Sequence, residues 1–335
     1  LRRFLAVLVL LALAAAGAWY HETRMPLGGA AAAPQSLVVP PGASVMEIGR
    51  RLHALGRVRH PQLFRLYVLA RGEAGRLKAG EYELPAGLAL DQIVGKMVRG
   101  EVVRRFVTFP EGRTIEDMAG ILRASGLGPA GFLAKAGDAS LIRDLDPQAG
   151  DLEGYLFPDT YDLAPTAEAP AELPARMVGR FRAVVGPEMD AVRASGLTLR
   201  EVVTLASVVE METARPEERP RVAAVFLNRL KKGMPLQTDP TVIYALRRAG
   251  TWNGNIRRED LDVDSPYNTY RYPGLPPGPI ASPGRASLQA VLRPAPVADL
   301  YFVSRGDGSH YFSDTLAEHQ RAVDHYQRGR GAPPP

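Results

Sequence analysis

Residues 199–213 read LREVVTLASVVEMET, an apolar run that opens on a capping signal and closes on two acids. Thr198 and Glu201 stand three apart just before the run, the spacing at which each side chain satisfies an orphan N–H of the other, so a helix is expected from about Leu199. Leu199, Val202, Val203 and Ala206 form one apolar stripe and Leu205, Val208 and Val209 a second. Little of the circumference is left for water, the pattern of a buried central helix. Glu212 lies one helical turn past Val208 and Val209, whereas Glu210 stacks over Ser207 and Ala206, which makes Glu212 the acid expected to be desolvated. Burial without a cation disfavours the charged carboxyl and raises its pKa toward the range of a general acid working near neutrality. The other reading is that both acids simply end the helix at the surface.

Outward from this helix, 335 residues with 46% hydrophobic content suit about two domains and any targeting element. The sequence has no cysteine, which removes disulfides, thiolate nucleophiles and Cys-zinc sites. A net charge of +5 suits an anionic surface or polymer, but no basic run interleaved with aromatics points to nucleic acid. Six histidines never form HExxH, and neither a Gly-x-Ser-x-Gly elbow nor a Walker loop occurs, so no metal site, cofactor or serine nucleophile is expected.

Arg2 and Arg3 precede an uncharged run from Phe4 to Tyr20. Residues 1–20 are read as a transmembrane anchor, with Trp19 and Tyr20 as an interfacial belt; Ala14-Ala15-Ala16 leaves a cleaved signal peptide as the rival. Both readings carry everything after Tyr20 across the membrane, and the anchor reading gives a single-pass inner-membrane protein with a periplasmic C-terminal part. Residues 21–36, rich in Gly, Ala and Pro from Gly28 to Gln35, read as a linker.

A repeat follows. Pro40-Pro41-Gly42 with Ser44, Ile48 and Leu52 is echoed at Pro85-Ala86-Gly87 with Ile93 and Met97, and at Pro110-Glu111-Gly112 with Thr114, Met118 and Leu122. Each unit is a strand, a Pro-x-Gly turn, and a helix with apolar residues at helical spacing. Such units resemble LysM-like modules, which bind glycan in wall proteins; a plain packing module is the alternative. The LysM-like region is set at 37–104, a catalytic domain at 105–328 and a disordered tail at 329–335.

Within 105–328, DLEGYLFPDTYD (151–162) crowds four acids, two tyrosines and a phenylalanine into a loop or strand edge. Ala167 to Pro174 reads as a connector, 176–195 as a helix, and Pro216 to Leu230 as a second amphipathic helix. Asp239 reads as an N-cap with Pro240 at the first helical position, displaying Gln237 and Thr238 just before the helix. Tyr267-Asn268-Thr269-Tyr270 and the proline loop Gly274 to Ile280 carry sugar-binding residue types, although a structural loop reads the same way. Residues 298–304 and 309–313 flank Gly306-Asp307-Gly308 as a hairpin, and Thr315 with Glu318 opens a closing helix.

Laid out in order, EGY (153–155), FPDT (157–160), LASVVEMET (205–213), VFLNRL (225–230), LQTDPTVIY (236–244), YNTY (267–270), GLPPG (274–278) and LYFV (300–303) resemble the YceG-like endolytic murein transglycosylases. The resemblance is dense over 151–325 and loose over the membrane and LysM-like regions. It implies an α+β fold and a catalytic glutamate at Glu212, with Met211 standing where relatives often carry lysine. The substrate-contacting set is taken as Glu153, Tyr155, Asp159, Thr160, Gln237, Thr238, Asp239, Tyr267, Asn268, Thr269 and Tyr270. The implied activity is cleavage of nascent peptidoglycan strands at N-acetylmuramic acid to leave 1,6-anhydro ends, with peptidoglycan synthases as the partners that a role in wall growth suggests. One acid suffices for this chemistry, because the second attack is intramolecular. A muramidase-type hydrolase using Glu153 or Asp159 as second carboxylate is the near alternative. A non-enzymatic wall-binding assembly protein is the distant one.

Overall fold

The computed structural model describes residues 2–27, 33–163 and 169–332, without the side chains of residues 2, 3, 4, 6, 15 and 22. Linker residues 28–32, connector residues 167–168 and tail residues 333–335 lie outside the described residues. The chain is of mixed α+β type and divides into two compact units, residues 1–106 with 162–169, and residues 107–161 with 170–335.

In the N-terminal unit, α1 (Arg2–Arg24) is followed by β1 (Gln35–Val39), α2 (Val45–Ala54), α3 (Pro61–Ala70), β2 (Gly80–Leu84) and α4 (Leu90–Arg99). β1 and β2 pair antiparallel with Leu37 opposite Tyr82, and the alternating inward residues Leu37, Val39, Tyr82 and Leu84 join Ile48, Leu52, Phe64, Ile93 and Met97 in one core. The repeat has a backbone cause: Gly42, Gly87 and Gly112 hold φ of 75°, 78° and 74°, a left-handed turn that a side chain would strain. The helix after each turn follows within a few residues, and Ser44 and Thr114 accept the N3 backbone N–H as read.

Along α1, Leu5, Val7 to Leu11 and Leu13 are largely exposed, Trp19 packs on Tyr67 with ring centroids 6.0 Å apart, and Arg24 bridges to Asp91 at 2.6 Å. Trp19 is therefore engaged with protein rather than standing free, while Tyr20 is exposed. Among the described residues no helix is long and apolar enough to cross a membrane.

β3 (Arg105–Thr108) pairs with β4 (Thr160–Leu163). The C-terminal unit holds α5 (Ile115–Ala124), α6 (Ala130–Ala136), α7 (Ala169–Val185) from its second residue, α8 (Met189–Ser195), α9 (Leu199–Glu212), α10 (Arg219–Lys231), α11 (Asp239–Arg248), α12 (Arg285–Leu292), the hairpin β5 (Tyr301–Ser304) and β6 (His310–Ser313), and α13 (Leu316–Tyr326). α9 is the hub: Leu199 and every residue from Val202 to Val209 are buried, and it packs on α10, α11 and α12. Its capping box forms as read, with Thr198 accepting the Glu201 N–H and Glu201 accepting the Thr198 N–H at 2.7 Å.

Three boundaries differ from the sequence reading. The expected connector through Pro174 is already helix from Ala169, with Pro174 inside it. The single helix expected over 176–195 breaks at Gly186-Pro187, giving α7 and α8. The second amphipathic helix begins at Arg219 rather than Pro216, with Pro220 in its first turn.

Candidate active site

The end of α9 splits its two acids. Glu210 has a side chain only 4% exposed, and it meets Arg219 of α10 at 2.7 Å while accepting the Gly284 N–H at 2.9 Å. It is a charge-paired tie between α9, α10 and the start of α12. Glu111 is raised by burial and then by Glu210 beside it. Glu212 has no cation in hydrogen-bond contact among its described partners, and it accepts the hydroxyl of Thr238. Burial pushes its carboxyl up to about 7; Asp239 adds to the rise, while the Thr238 hydrogen bond, His310 and Arg229 oppose it. At neutral pH such a carboxyl is present in both protonation states, so it can give a proton and take one back.

Thr238 is held in place from three sides. Its N–H donates to Thr269 Oγ1 at 3.1 Å, the Gln237 N–H donates to the Thr269 carbonyl at 3.2 Å, and the hydroxyls of Thr241 and Thr269 are 2.9 Å apart. Arg229 fixes the approach, donating from Nη1 to the Leu236 carbonyl at 2.6 Å and from Nε to the Leu300 carbonyl at 2.7 Å. Gln237 carries φ of 50°, the one left-handed non-glycine among the described residues. Strain of this kind persists only where surrounding contacts impose it. The N-cap of α11 is Thr238 rather than Asp239: its hydroxyl makes no capping bond and turns to Glu212 instead. Asp239, the first helical residue, accepts the Tyr270 hydroxyl at 2.6 Å.

The residues expected near a substrate fall into two groups. Gln237 and Asp239 are exposed, and Tyr270, which donates to Asp239, is partly exposed; Tyr267 is also partly exposed, but its ring lies on Tyr244 with centroids 4.9 Å apart. Asn268 is fully buried, donating to the Leu261 and Val263 carbonyls at 2.8 and 2.9 Å and accepting the Tyr270 N–H at 3.0 Å, so it shapes its own loop. Thr269 is buried and serves the Thr238 turn. Tyr155 is a core residue 1% exposed, edge-on to Phe181 and donating to Asp146 at 2.6 Å, where Asp146 also meets Arg200 at 2.6 Å. Asp159 pairs with Arg180 at 2.8 Å, and the Thr160 hydroxyl meets that of Thr108 at 2.8 Å across β3 and β4.

Glu153 is buried, accepts the Ile115 N–H at the start of α5 at 3.2 Å, and is pushed up to about 8 by burial, opposed by that backbone bond. The proline loop is pinned to α9, with Ile280 N–H on Ser207 Oγ at 3.0 Å and Arg200 on the Pro277 carbonyl at 2.6 Å.

Several participants were not singled out from sequence. Arg229 lies within the VFLNRL run yet reads as an ordinary surface residue of an amphipathic helix. Glu218 accepts both the backbone N–H and the Nδ1 of His310, at 2.9 and 2.6 Å, across 92 residues of chain, and also the Thr213 hydroxyl at 3.3 Å. No local pattern links such partners. Arg219, the partner of Glu210, follows a proline-rich turn that hides its inward direction.

Fold and site together define an α+β protein whose central helix ends in one charge-paired acid and one desolvated acid. The YceG-like family's profile matches residues 37–325, and the chain belongs to that family. A Bacillus subtilis protein named endolytic murein transglycosylase is 34% identical over 304 residues, spanning 86% of this chain and 83% of its own length. A Streptococcus pneumoniae protein of the same name is 30% identical over 355 residues, spanning 95% of this chain and 64% of its own. A crystal structure of a yceG-like protein from Listeria monocytogenes superposes with a TM-score of 0.60 at 34% identity, covering 86% of this chain and 98% of that one.

Proposed function

We propose that the protein is an endolytic lytic transglycosylase of murein, with Glu212 as its single acid and base. The observation that carries the reading is the Glu212 carboxyl itself: desolvated at the end of the central helix, held by Thr238, and poised at about 7. The names of the relatives supply the substrate class. Protonated Glu212 gives its proton to the glycosidic oxygen as the bond from C1 of the muramyl residue breaks. The resulting carboxylate takes the proton of the muramyl 6-hydroxyl as that oxygen bonds to C1. One bond to C1 breaks, one forms, and no water enters, so the product carries a 1,6-anhydro end. Holding the 6-hydroxyl against C1 supplies the proximity that a hydrolase must otherwise obtain from a placed water.

Gln237, Asp239 and Tyr270 are the proposed sugar contacts around the Thr238 turn, with amide, carboxyl and phenol groups, and Tyr267, whose ring meets Tyr244 and Arg248, is the proposed contact further along α11. The exposed aliphatic residues of α1 from Leu5 to Leu13 support an inner-membrane anchor that places both units in the periplasm. The two strand-turn-helix units of residues 37–104 are proposed as a LysM-like glycan-holding region, residues 105–328 as the catalytic domain, and wall synthases as partners. Digestion of purified glycan strands followed by mass spectrometry tests the activity. Anhydro ends from internal sites are expected; reducing ends would make the protein a hydrolase, and intact strands would leave it a binding protein.

A further inference from the structure

A second feature of the C-terminal unit lies away from Glu212. A cleft of about 790 Å³ opens between the start of α5, the loop carrying Asp151 and Glu153, and the end of α11 with Trp252. It continues into a narrower groove of about 220 Å³. The two share Thr114, Asp117, Tyr244, Arg247 and Trp252, and the groove ends at Met211, the 44% exposed residue between the two acids of α9. Cleft and groove are therefore neighbours within one unit, and the groove has Met211 of the acid-bearing helix end in its wall.

The walls of this cleft are charged with both signs. Arg247 meets Asp117 at 3.1 Å across it, Arg248 is exposed with its guanidinium over the rings of Tyr244 and Tyr267 at 5.9 and 5.5 Å, and Asp151, Glu116 and the buried Glu153 supply carboxyls. The sugars of a peptide-bearing strand carry no charge, their lactyl carboxyls being held in amide bonds, and offer these groups only neutral hydroxyl and amide partners. A short peptide with free carboxylates and an amino group returns charge-assisted hydrogen bonds to arginines and acids alike.

We infer that the cleft from Trp252 to Glu153 receives the charged peptide substituent of the murein strand while the sugar lies toward Met211 and Glu212. This rests on the proposed murein-cleaving activity. Arg248 is placed to take a peptide carboxylate and Asp151 a peptide amine. The aromatic rings of Tyr244 and Trp252 offer the apolar stem a wall.

The test compares kcat/KM of the chain in detergent on glycan strands with stem peptides and on strands stripped of them by an amidase, with the lactyl carboxyls so freed capped as methyl amides. The ratio within each protein is the readout, since general damage cancels. The wild type is expected to favour peptide-bearing strands by about tenfold or more, the worth of one charge-assisted contact, and Arg248→Gln and Asp151→Asn to bring the ratio toward one. Equal rates on both substrates by the wild type, or a ratio unchanged in both variants, overturns the assignment while leaving the cleavage reading intact. If the wild type cleaves neither substrate, the activity reading fails, and calorimetric titration of free stem tetrapeptide decides the site: binding lost in Arg248→Gln upholds it, and no binding to the wild type overturns it.

Discussion

Thr238 donates its hydroxyl hydrogen to Oε1 of Glu212, across 26 residues of chain, and this contact joins the end of α9 to the start of α11. A donor on the carboxylate stabilises its charged form and so holds the pKa below the value burial alone would impose. Thr238→Val keeps the shape of a side chain 2% exposed and removes the donor. The pKa of Glu212 then rises, so the alkaline limb of the pH dependence of kcat/KM, which marks loss of the proton, is expected at higher pH than in the wild type. An unchanged limb would mean that Glu212 is not the titrating acid.

Glu153 gives a prediction on stability. Its folded pKa of about 8 lies above the 4.5 of an unfolded glutamate, so the folded state binds more protons between these values. Stability from this group is fully present below about pH 4.5 and is lost as pH rises through 8. Glu212, at about 7, acts in the same direction. Glu153→Gln cannot ionise, and in urea unfolding its stability relative to wild type is expected to improve from pH 5 to pH 9. A difference independent of pH would contradict the buried-acid account.

Gly154 explains the middle of the EGY motif. It holds φ of 83°, and a Cβ there would stand 2.4 Å from Pro279 and 3.0 Å from Val203. Gly154→Ala therefore strains the backbone and pushes the proline loop off α9. A loss of about 2 kcal/mol or more is expected by chemical denaturation, combining left-handed strain with overpacking. A wild-type midpoint would show that the loop is free to move.

Much of this was legible in the residues. The capping box at Thr198 and Glu201, the two apolar stripes and the Pro-x-Gly repeats are local patterns, and each produced the element it signals. The neighbours of the two α9 acids do not separate them by shielding, since the Glu210 side chain is only 4% exposed as well; the distinction is that Glu210 has Arg219 while Glu212 has a hydroxyl. What remained hidden depends on partners far along the chain. Asn268 and Thr269 look like sugar ligands by type, yet their bonds are spent on their own loop and on the Thr238 turn. Thr238 looked like a residue before a cap at Asp239, and only the approach of α9 reveals why it leaves its own helix uncapped. The Glu218–His310 pair and the charged cleft at Trp252 are assembled from distant segments, which no spacing announces.

Glu210 is predicted to matter for folding rather than for chemistry. Glu210→Gln keeps an acceptor for the Gly284 N–H but leaves the Arg219 guanidinium, 9% exposed, with only the more distant Glu111 carboxylate at 3.5 Å. Breaking a buried pair costs about 3–5 kcal/mol where the remaining charge is uncompensated, and Glu111 brings the expected loss to the lower end of that range or below. A lowered denaturation midpoint with a near wild-type rate per folded molecule is expected. Full stability with lost cleavage would instead place Glu210 in the reaction.

The most direct test of the account is the kcat/KM of Glu212→Gln on defined glycan strands, with its circular dichroism and denaturation midpoint measured alongside. The substitution keeps the volume and an acceptor for the Thr238 hydroxyl and removes the transferable proton. The account predicts a folded protein that still binds strands and whose cleavage falls by at least ~10²–10⁴-fold, the usual worth of a general acid. A folded Glu212→Gln protein that releases anhydro ends at close to the wild-type rate would contradict it.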